Sequence, residues 1–267
     1  SLFNALTAAG APSENYPFCT VDPNVGTVEV PDERLDRIHE LTASAKKVPT
    51  VMQFVDIAGL VKGAAQGEGL GNQFLANIRE VDAIAHVLRC FDDDDITHVL
   101  GDVDPVRDRE IVETELALSD LDLVTRRLDR VVKKAKSGDK EALREHSVLE
   151  KVRDALDEGR AVRDLDFTDD EARLVHSFQL LTSKPVLYVA NVSEADLPEG
   201  ENAWVTALRS RIEADQAGEV VVICSAIESE LAELDLAEKL EFLGELGLDE
   251  AGLDRLATLS DASSTQY

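Results

Sequence analysis

The chain has 267 residues, of which 44% are hydrophobic, and 54 acidic residues against 27 basic ones give a net charge of −27. This length can bury a substantial core, whereas the charge argues against a generally basic nucleic-acid-binding surface. No apolar run is long enough to span a bilayer and no signal-peptide pattern opens the chain, so we expect no membrane association. Three scattered cysteines, Cys19, Cys90 and Cys224, fit a reducing cytoplasm better than a disulfide framework.

The predicted secondary-structure elements alternate between short apolar runs and helical segments. Leu2–Thr7 has the character of a helix end, and Phe74–Glu80 is predicted to be helical. Short apolar runs predict the core strands of an α/β sheet. These runs are Val51–Ile57, Ala83–Cys90, Pro185–Ala190 and Val220–Cys224.

The first of these strands leads into the most informative segment of the chain. The strand ends on an acid, Asp56, and Gly59 follows three residues later, at the start of a glycine-dense segment that continues to Gly71. A carboxylate at the carboxyl end of a strand can hold Mg²⁺ through water, and a glycine amide can approach a terminal phosphate. Glycines also let the backbone rearrange when that phosphate leaves. The segment therefore predicts a nucleotide switch, although D-x-x-G alone is typical of an ordinary strand-to-loop turn.

The middle of the chain, from about Asp104 to Leu174, is charged, poor in glycine and helical in periodicity. Apolar residues recur there at alternating steps of four and three, which is the rhythm of a packed helix pair. A break at residues 137–139 separates two matching series, the second interrupted by Glu145. A short break implies antiparallel arms, so we predict a helical hairpin; two amphipathic helices packed on the main core are the alternative. The two series are Ala117, Leu121, Val124, Leu128, Val131 and Ala135, then Ala142, Leu149, Val152 and Leu156.

Basic residues cluster on the first arm of this hairpin, near its turn, in a chain that is otherwise acidic. A basic surface of this kind is a candidate contact for RNA. The alternative is a solvated helix face neutralised by local acids such as Asp129 and Glu141. The basic residues are Arg126, Arg127, Arg130, Lys133, Lys134 and Lys136.

Several motifs occur in the order in which a known family has them. They are Leu2–Thr7, Asn15–Gly26, Phe74–Glu80, Arg89–Phe91 and Ala226–Glu230, together with the switch segment. The chain thereby resembles the YchF family, also called Obg-like ATPases, a branch of the Obg-related P-loop NTPases. The resemblance extends from Leu2 to about Leu256.

This resemblance implies a nucleotide site with Mg²⁺ as cofactor and ATP as substrate. In P-loop GTPases a loop threonine binds Mg²⁺ through its hydroxyl and the γ-phosphate through its amide, and Thr20 is the matching residue. Asp56 would hold Mg²⁺ through water, and Gly59 would contact the γ-phosphate. Leu60 stands where many GTPases place a water-orienting glutamine. His98 matches a histidine position implicated in this family, so it is the candidate catalytic residue.

The motif N-V-S-E at residues 191–194 takes the place of the N-K-x-D motif of GTP-specific relatives. Asn191 can reach the purine N7 that adenine and guanine share. Glu194 is one methylene longer than aspartate, which predicts weakened guanine selectivity, because a matched buried polar pair is lost. The preference for ATP over GTP is implied by the resemblance alone. With Val192, and with Ser225 and Ala226 beside the base through their backbone amides, these residues form the predicted nucleotide site.

Both ends of the sequence depart from the family pattern. The phosphate-binding loop G-x-x-x-x-G-K-[ST] is absent, because Ser1 falls just after its last position, and residues 257–267 form a polar tail in place of the family's continuation toward a TGS domain. We therefore expect a fragment of a longer protein. Its predicted fold is a P-loop NTPase-type (Ras-like) α/β sheet flanked by helices, an OBG-type nucleotide-binding domain formed by 1–103 and 175–256. A helical coiled-coil hairpin, 104–174, is inserted in it.

The resemblance implies a ribosome-associated, cytoplasmic ATPase that hydrolyses ATP, and GTP less well, as a translation-linked or stress-linked switch. Its hairpin would contact the ribosome or ribosomal RNA. The alternative is a non-hydrolysing interaction module that works through the hairpin.

Overall fold

The structure, a computed structural model, describes residues 2–7, 23–30, 32–42, 44–57, 70–93, 96, 101–248, 250–253 and 255–256. The chain divides into two compact units. The first unit comprises Ser1–Ala58, Ala85–Val106 and Val186–Tyr267, and the second comprises Gly59–Ile84 and Arg107–Pro185.

The first unit contains two sheets. Strands β1 (Asn24–Glu29) and β2 (Val51–Asp56) pair antiparallel, from Asn24 opposite Asp56 to Glu29 opposite Val51. Strands β3 (Ile84–Arg89), β4 (Val186–Asn191) and β5 (Val220–Ile223) form the other sheet in that spatial order, with β4 and β5 parallel and with Ile84 belonging to the second unit. The helices are α1 (Leu2–Thr7), α2 (Glu33–Thr42), α7 (Ala203–Asp215), α8 (Ser225–Leu231) and α9 (Leu236–Glu245).

The central strand β4 has an apolar residue at nearly every position because both of its faces are covered. On one face, Tyr188 and Ala190 pack in a buried cluster with Val205 and Leu208 of α7. On the other face, Leu187 and Val189 pack with residues of β5 and of α1, among them Val221, Ile223, Leu2 and Leu6. The predicted α/β architecture is therefore confirmed.

Strand β1 was not predicted as a strand. Gly26 is the reason, because a glycine inside a strand usually indicates a turn or a bulge. Here it allows a close approach: a β-carbon at Gly26 would collide with the side chain of Thr7 at the end of α1.

The second unit is helical and consists of α3 (Leu70–Glu80), α4 (Pro105–Lys136), α5 (Lys140–Asp157) and α6 (Asp169–Phe178), with the first two residues of α4 belonging to the first unit. The predicted hairpin is confirmed as α4 and α5. Gly138 has a positive φ of 85° in the connecting turn, and Asp139 caps α5 by accepting hydrogen bonds from the amides of Glu141 and Ala142.

The predicted apolar seam forms the core of this unit. Every member of the two series from Val124 onward is buried, and Ala117 and Leu121 are partly buried. Glu145 interrupts the seam because it makes an ion pair across the hairpin, 2.6 Å from Nε of Arg127. Val175 and Phe178 of α6 complete the cluster, so the hairpin is packed by a third helix that the periodicity did not predict.

Asp120 holds α4 to the segment that follows α6. Its carboxylate is completely buried and accepts hydrogen bonds from the amides of Leu181 (2.9 Å) and Thr182 (2.8 Å) and from the Thr182 hydroxyl (2.7 Å). Arg79 of α3 lies 3.4 Å away. Burial raises the pKa of Asp120, and the hydrogen bonds from Thr182 and Leu181 oppose that rise.

Candidate functional site

The carboxyl ends of β3, β4 and β5 meet at one edge of the sheet in the first unit. There the amide of Cys90 donates to the carbonyl of Asn191 (2.8 Å), and the amide of Val192 donates to the carbonyl of Ile223 (2.9 Å). Ligands of open α/β sheets bind outside the carboxyl ends of the strands. The predicted base-binding residues therefore stand at the edge where a ligand is expected.

Asn191 and Ser225 are in direct contact at this edge. The side-chain oxygen of Asn191 accepts hydrogen bonds from the amide of Ser225 (2.9 Å) and from its hydroxyl (2.8 Å). With its oxygen held in this way, Asn191 is left with its amide nitrogen as the donor for a ligand. The amide of Ser225, which we predicted to lie beside the base, is thus engaged in orienting Asn191.

The remaining predicted base-site residues differ in their exposure. Ala226, in the first turn of α8, is exposed. The side chain of Val192 is only 2% exposed and lies in the core cluster, so Val192 can serve a ligand only through its backbone. Glu194 is exposed, and its carboxylate makes no hydrogen bond or ion pair with the residues that the structure describes.

A set of hydrogen bonds that was not predicted from the sequence fixes the loop that carries Glu194. The carboxylate of Asp196 accepts hydrogen bonds from the hydroxyl of Ser193 (2.7 Å), from its amide (3.2 Å) and from the side-chain nitrogen of Asn202 (3.1 Å). Asn202 also donates to the carbonyl of Cys90 (2.8 Å). The sequence feature that could have predicted these hydrogen bonds is the Ser-x-x-Asp spacing of a capping box, formed by Ser193 and Asp196.

Two buried cysteines lie beside this edge. Cys90 is completely buried, and burial raises the pKa of its thiol to about 12. Burial also raises the pKa of Cys224, with hydrogen bonds from the amides of Ile227 and Ala226 opposing it. A thiol without accessible thiolate is a poor nucleophile, so neither cysteine is a candidate for covalent chemistry.

Asp56 is the part of the predicted Mg²⁺ site that the structure describes. It is the last residue of β2, it is exposed, and its carboxylate is not bonded to any other described residue. A free carboxylate at a strand end fits the predicted role of holding Mg²⁺ through water. No group of three or more metal-ligating side chains occurs among the described residues. Thr20, Gly59 and His98 lie outside them.

A second candidate site is the basic surface of the hairpin. Arg126 pairs with Asp122, and Arg127 pairs with Glu145 while its guanidinium lies 4.2 Å from the centre of the Phe178 ring. The other basic residues are exposed and form no ion pair or side-chain hydrogen bond within the described ranges, with the acids considered above or with any other group. They are Arg130, Lys133, Lys134 and Lys136.

Among the helices that the structure describes, none combines the length and the apolar character needed to cross a membrane.

The chain is similar to proteins that are named as ribosome-binding GTPases or ATPases. A family model described as 50S ribosome-binding GTPase matches residues 1–151. The ribosome-binding ATPase YchF of Bacillus subtilis is 52% identical over 97% of this chain and 71% of that protein. The protein of the same name from Haemophilus influenzae is 51% identical over 96% of this chain and 70% of its own length.

Solved structures agree with the sequence comparison. The structure of the Schizosaccharomyces pombe YchF GTPase superposes with a TM-score of 0.80 and 34% identity, and it covers 98% of this chain and 71% of that one. The fold described above is therefore that of a P-loop GTPase.

Proposed function

The chain belongs to the YchF family, and from that membership we propose that it is a ribosome-associated nucleotide hydrolase that prefers ATP to GTP. The proposal places it in the cytoplasm, where nucleotide binding and hydrolysis switch a process linked to translation or stress. The observation that best supports the proposed nucleotide site is the hydrogen-bonded pair of Asn191 and Ser225 at the carboxyl edge of the sheet.

In this proposal the side-chain nitrogen of Asn191, which has no partner among the described residues, donates to the purine N7 that adenine and guanine share. Selectivity must then come from the group that meets the other edge of the base. Glu194 fits this role because its carboxylate is exposed on a loop that Asp196 and Asn202 hold in place. A carboxylate one methylene longer than aspartate does not reproduce the paired contact to guanine, so discrimination against ATP is lost.

The phosphate side of the proposed site rests on Asp56 together with residues outside the described part of the chain. Asp56 and Thr20 would hold Mg²⁺, which when bound neutralises charge on the phosphates. Gly59 would donate its amide to the γ-phosphate. Because Leu60 cannot polarise water, His98 is proposed as the group that positions the attacking water.

The proposed partner of the hairpin is ribosomal RNA. In a chain with a net charge of −27, four neighbouring cations without partners among the described residues are a local exception, and phosphates are the groups that such cations bind. The alternative function, a non-hydrolysing interaction module, depends on this same surface.

The base site is tested by competition titrations of fluorescent ATP and GTP analogues in Mg²⁺ buffer. Asn191→Ala should weaken both nucleotides about tenfold, because N7 is common to them. Glu194→Asp should shift the affinity ratio toward GTP, whereas Glu199→Asp, an exposed acid a few residues away, should leave it unchanged. An unchanged ratio in Glu194→Asp would rule out the proposed base recognition. A lysine at position 192 would be buried, so it is not part of the test.

The hairpin contact is tested by co-sedimentation with large ribosomal subunits. Replacement of Lys133, Lys134 and Lys136 by glutamine should reduce the bound fraction strongly. The matched control replaces three arginines of the same unit that already have acidic partners, Arg144, Arg153 and Arg173. Equal loss in both variants would refute a specific contact. Retained ribosome binding without ATP hydrolysis in the wild-type chain would favour the interaction module.

A further inference from the structure

An open groove of about 620 Å³ lies within the second unit, between α3 and the hairpin. Its lining includes apolar residues such as Leu75 and Leu123. Four arginines and two acids line it, and Arg79 also lies 3.4 Å from the buried carboxylate of Asp120, so a small excess of positive charge remains in a strongly negative chain. The charged residues are Arg79, Arg126, Arg127, Arg130, Asp122 and Glu145.

Two of these arginines are held in place by other groups of the protein. Arg79 donates to the hydroxyl of Ser119 (2.8 Å) and to the carbonyl of Gln179 (3.0 Å). Arg127 is held by Glu145 and by the Phe178 ring. Guanidinium groups held in this way lose little freedom when a ligand arrives, so the positions of these two arginines are preorganised.

The other two arginines are available to a ligand. Arg130 is exposed and has no hydrogen-bond or ion-pair partner in the described part of the chain. Arg126 pairs with Asp122 at the surface, where both side chains are more than half exposed, and such pairs exchange easily. The two arginines are one helical turn apart, about 6 Å along α4, so a strand with regularly repeated charges can meet both.

We propose that this groove binds the phosphate backbone of single-stranded RNA, with Arg126 and Arg130 as the contacts and Arg79 and Arg127 as fixed guanidinium groups beside them. The inference rests on the proposed function, in which the hairpin meets ribosomal RNA, and it adds a contact on the side of the hairpin to the one proposed at its tip. Phosphate suits the site because the arginine fork matches its oxygens. Carboxylates are already supplied to Arg126 and Arg127 by the protein itself.

The test measures the affinity of the whole chain for a fluorescent twelve-nucleotide oligouridine by anisotropy, across a salt series. Arg126→Gln with Arg130→Gln should weaken binding about tenfold or more and lower the log–log salt slope by about 1.4, the value for two lost phosphate contacts on a single strand. The matched control, Arg144→Gln with Arg153→Gln, makes the same charge change on the other arm of the hairpin and should have a much smaller effect. Circular dichroism of each variant checks its fold.

The outcomes separate this inference from the proposed function. Equal weakening in the groove pair and the control pair, or no binding of the oligonucleotide by the wild type, overturns the groove as the RNA site. The ribosome co-sedimentation of the tip variant, Lys133, Lys134 and Lys136 to glutamine, then decides the hairpin contact separately. Displacement of the RNA by polyglutamate or inorganic tripolyphosphate at equal charge would instead identify an acidic peptide or a free phosphate compound as the ligand and would also overturn the inference.

Discussion

Replacement of Asp120 by alanine is a sharp test of how the second unit is held together. The carboxylate is completely buried and accepts three hydrogen bonds from Leu181 and Thr182, with Arg79 at 3.4 Å. Alanine removes the acceptor but leaves the buried donors. Because a buried group without its partner keeps its desolvation cost, the loss exceeds the value of the bonds themselves.

The expected magnitude follows from these contacts. A buried donor left without an acceptor costs about 1–3 kcal/mol, and removal of one partner of a buried charge pair costs about 3–5 kcal/mol. Arg79 keeps its bonds to Ser119 and Gln179, and the Thr182 hydroxyl can rotate. We therefore expect a loss of about 3–5 kcal/mol in the free energy of unfolding, a large part of the roughly 5–15 kcal/mol that holds a typical domain. Asp120→Asn should cost less, because it keeps one acceptor oxygen and buries no charge.

Urea unfolding followed by circular dichroism measures this difference, and Asp122→Ala is the matched control. Asp122 lies two residues further along α4, is 60% exposed, and pairs only at the surface with Arg126, so its removal should change the stability by less than about 0.5 kcal/mol. If Asp120→Ala and Asp122→Ala differ by less than about 1 kcal/mol, the buried carboxylate does not hold the unit together as argued.

Three further predictions concern other parts of the chain. Gly200→Ala should lower the free energy of unfolding by about 2–4 kcal/mol, because the φ of Gly200 is +66° and a β-carbon there would lie 2.8 Å from a valine side chain. Gly159→Ala is the control: its φ is +76° but the space around it is open, so it should cost about 1 kcal/mol. Similar urea midpoints for the two variants would contradict this prediction. The hydrogen bond from the Thr168 amide lowers the pKa of Glu171 in the folded chain. The wild type should therefore be more stable than Glu171→Gln above pH 4.5, and this advantage should shrink as the pH falls through the lowered pKa. A difference in unfolding free energy that does not change with pH would refute the prediction. The pKa of the Cys90 thiol is raised to about 12, so in a variant whose other cysteines are replaced by serine it should not react with a disulfide reagent at pH 8 while the chain is folded. Labelling should begin only when urea unfolds the chain. Rapid labelling of the folded chain would show that the thiol is accessible.

The core strands and the hairpin could be predicted from the sequence because each depends on a local pattern. The strand β4 is a short apolar run because it is covered on both faces, and the hairpin has a periodic seam with a Gly-Asp break at its turn. Strand β1 could not be predicted, because Gly26 is needed there for the close approach of Thr7, a residue that is distant in the sequence.

The candidate site was predictable to the extent that its residues stand in a recognisable motif. Asn191 and Ser225 were identified in this way, but the hydrogen bonds between them join the end of β4 to the start of α8 and leave no trace in local sequence. The buried position of Val192 follows from sheet pairing, and the bond from Asn202 to Cys90 joins residues that are 112 positions apart. Contacts of this range are set by the tertiary fold and not by any pattern within a segment.

The contact between Asn191 and Ser225 also sets a time during synthesis before which the base site cannot exist. The two residues are 34 positions apart, and at about 5–20 residues per second a ribosome needs about 2–7 s to make the segment between them. During that interval β4 is complete, yet the side chain of Asn191 has no partner for its oxygen and no fixed orientation. A growing chain therefore passes through a stage in which β4 has been synthesised and its nucleotide site is still unable to recognise a base.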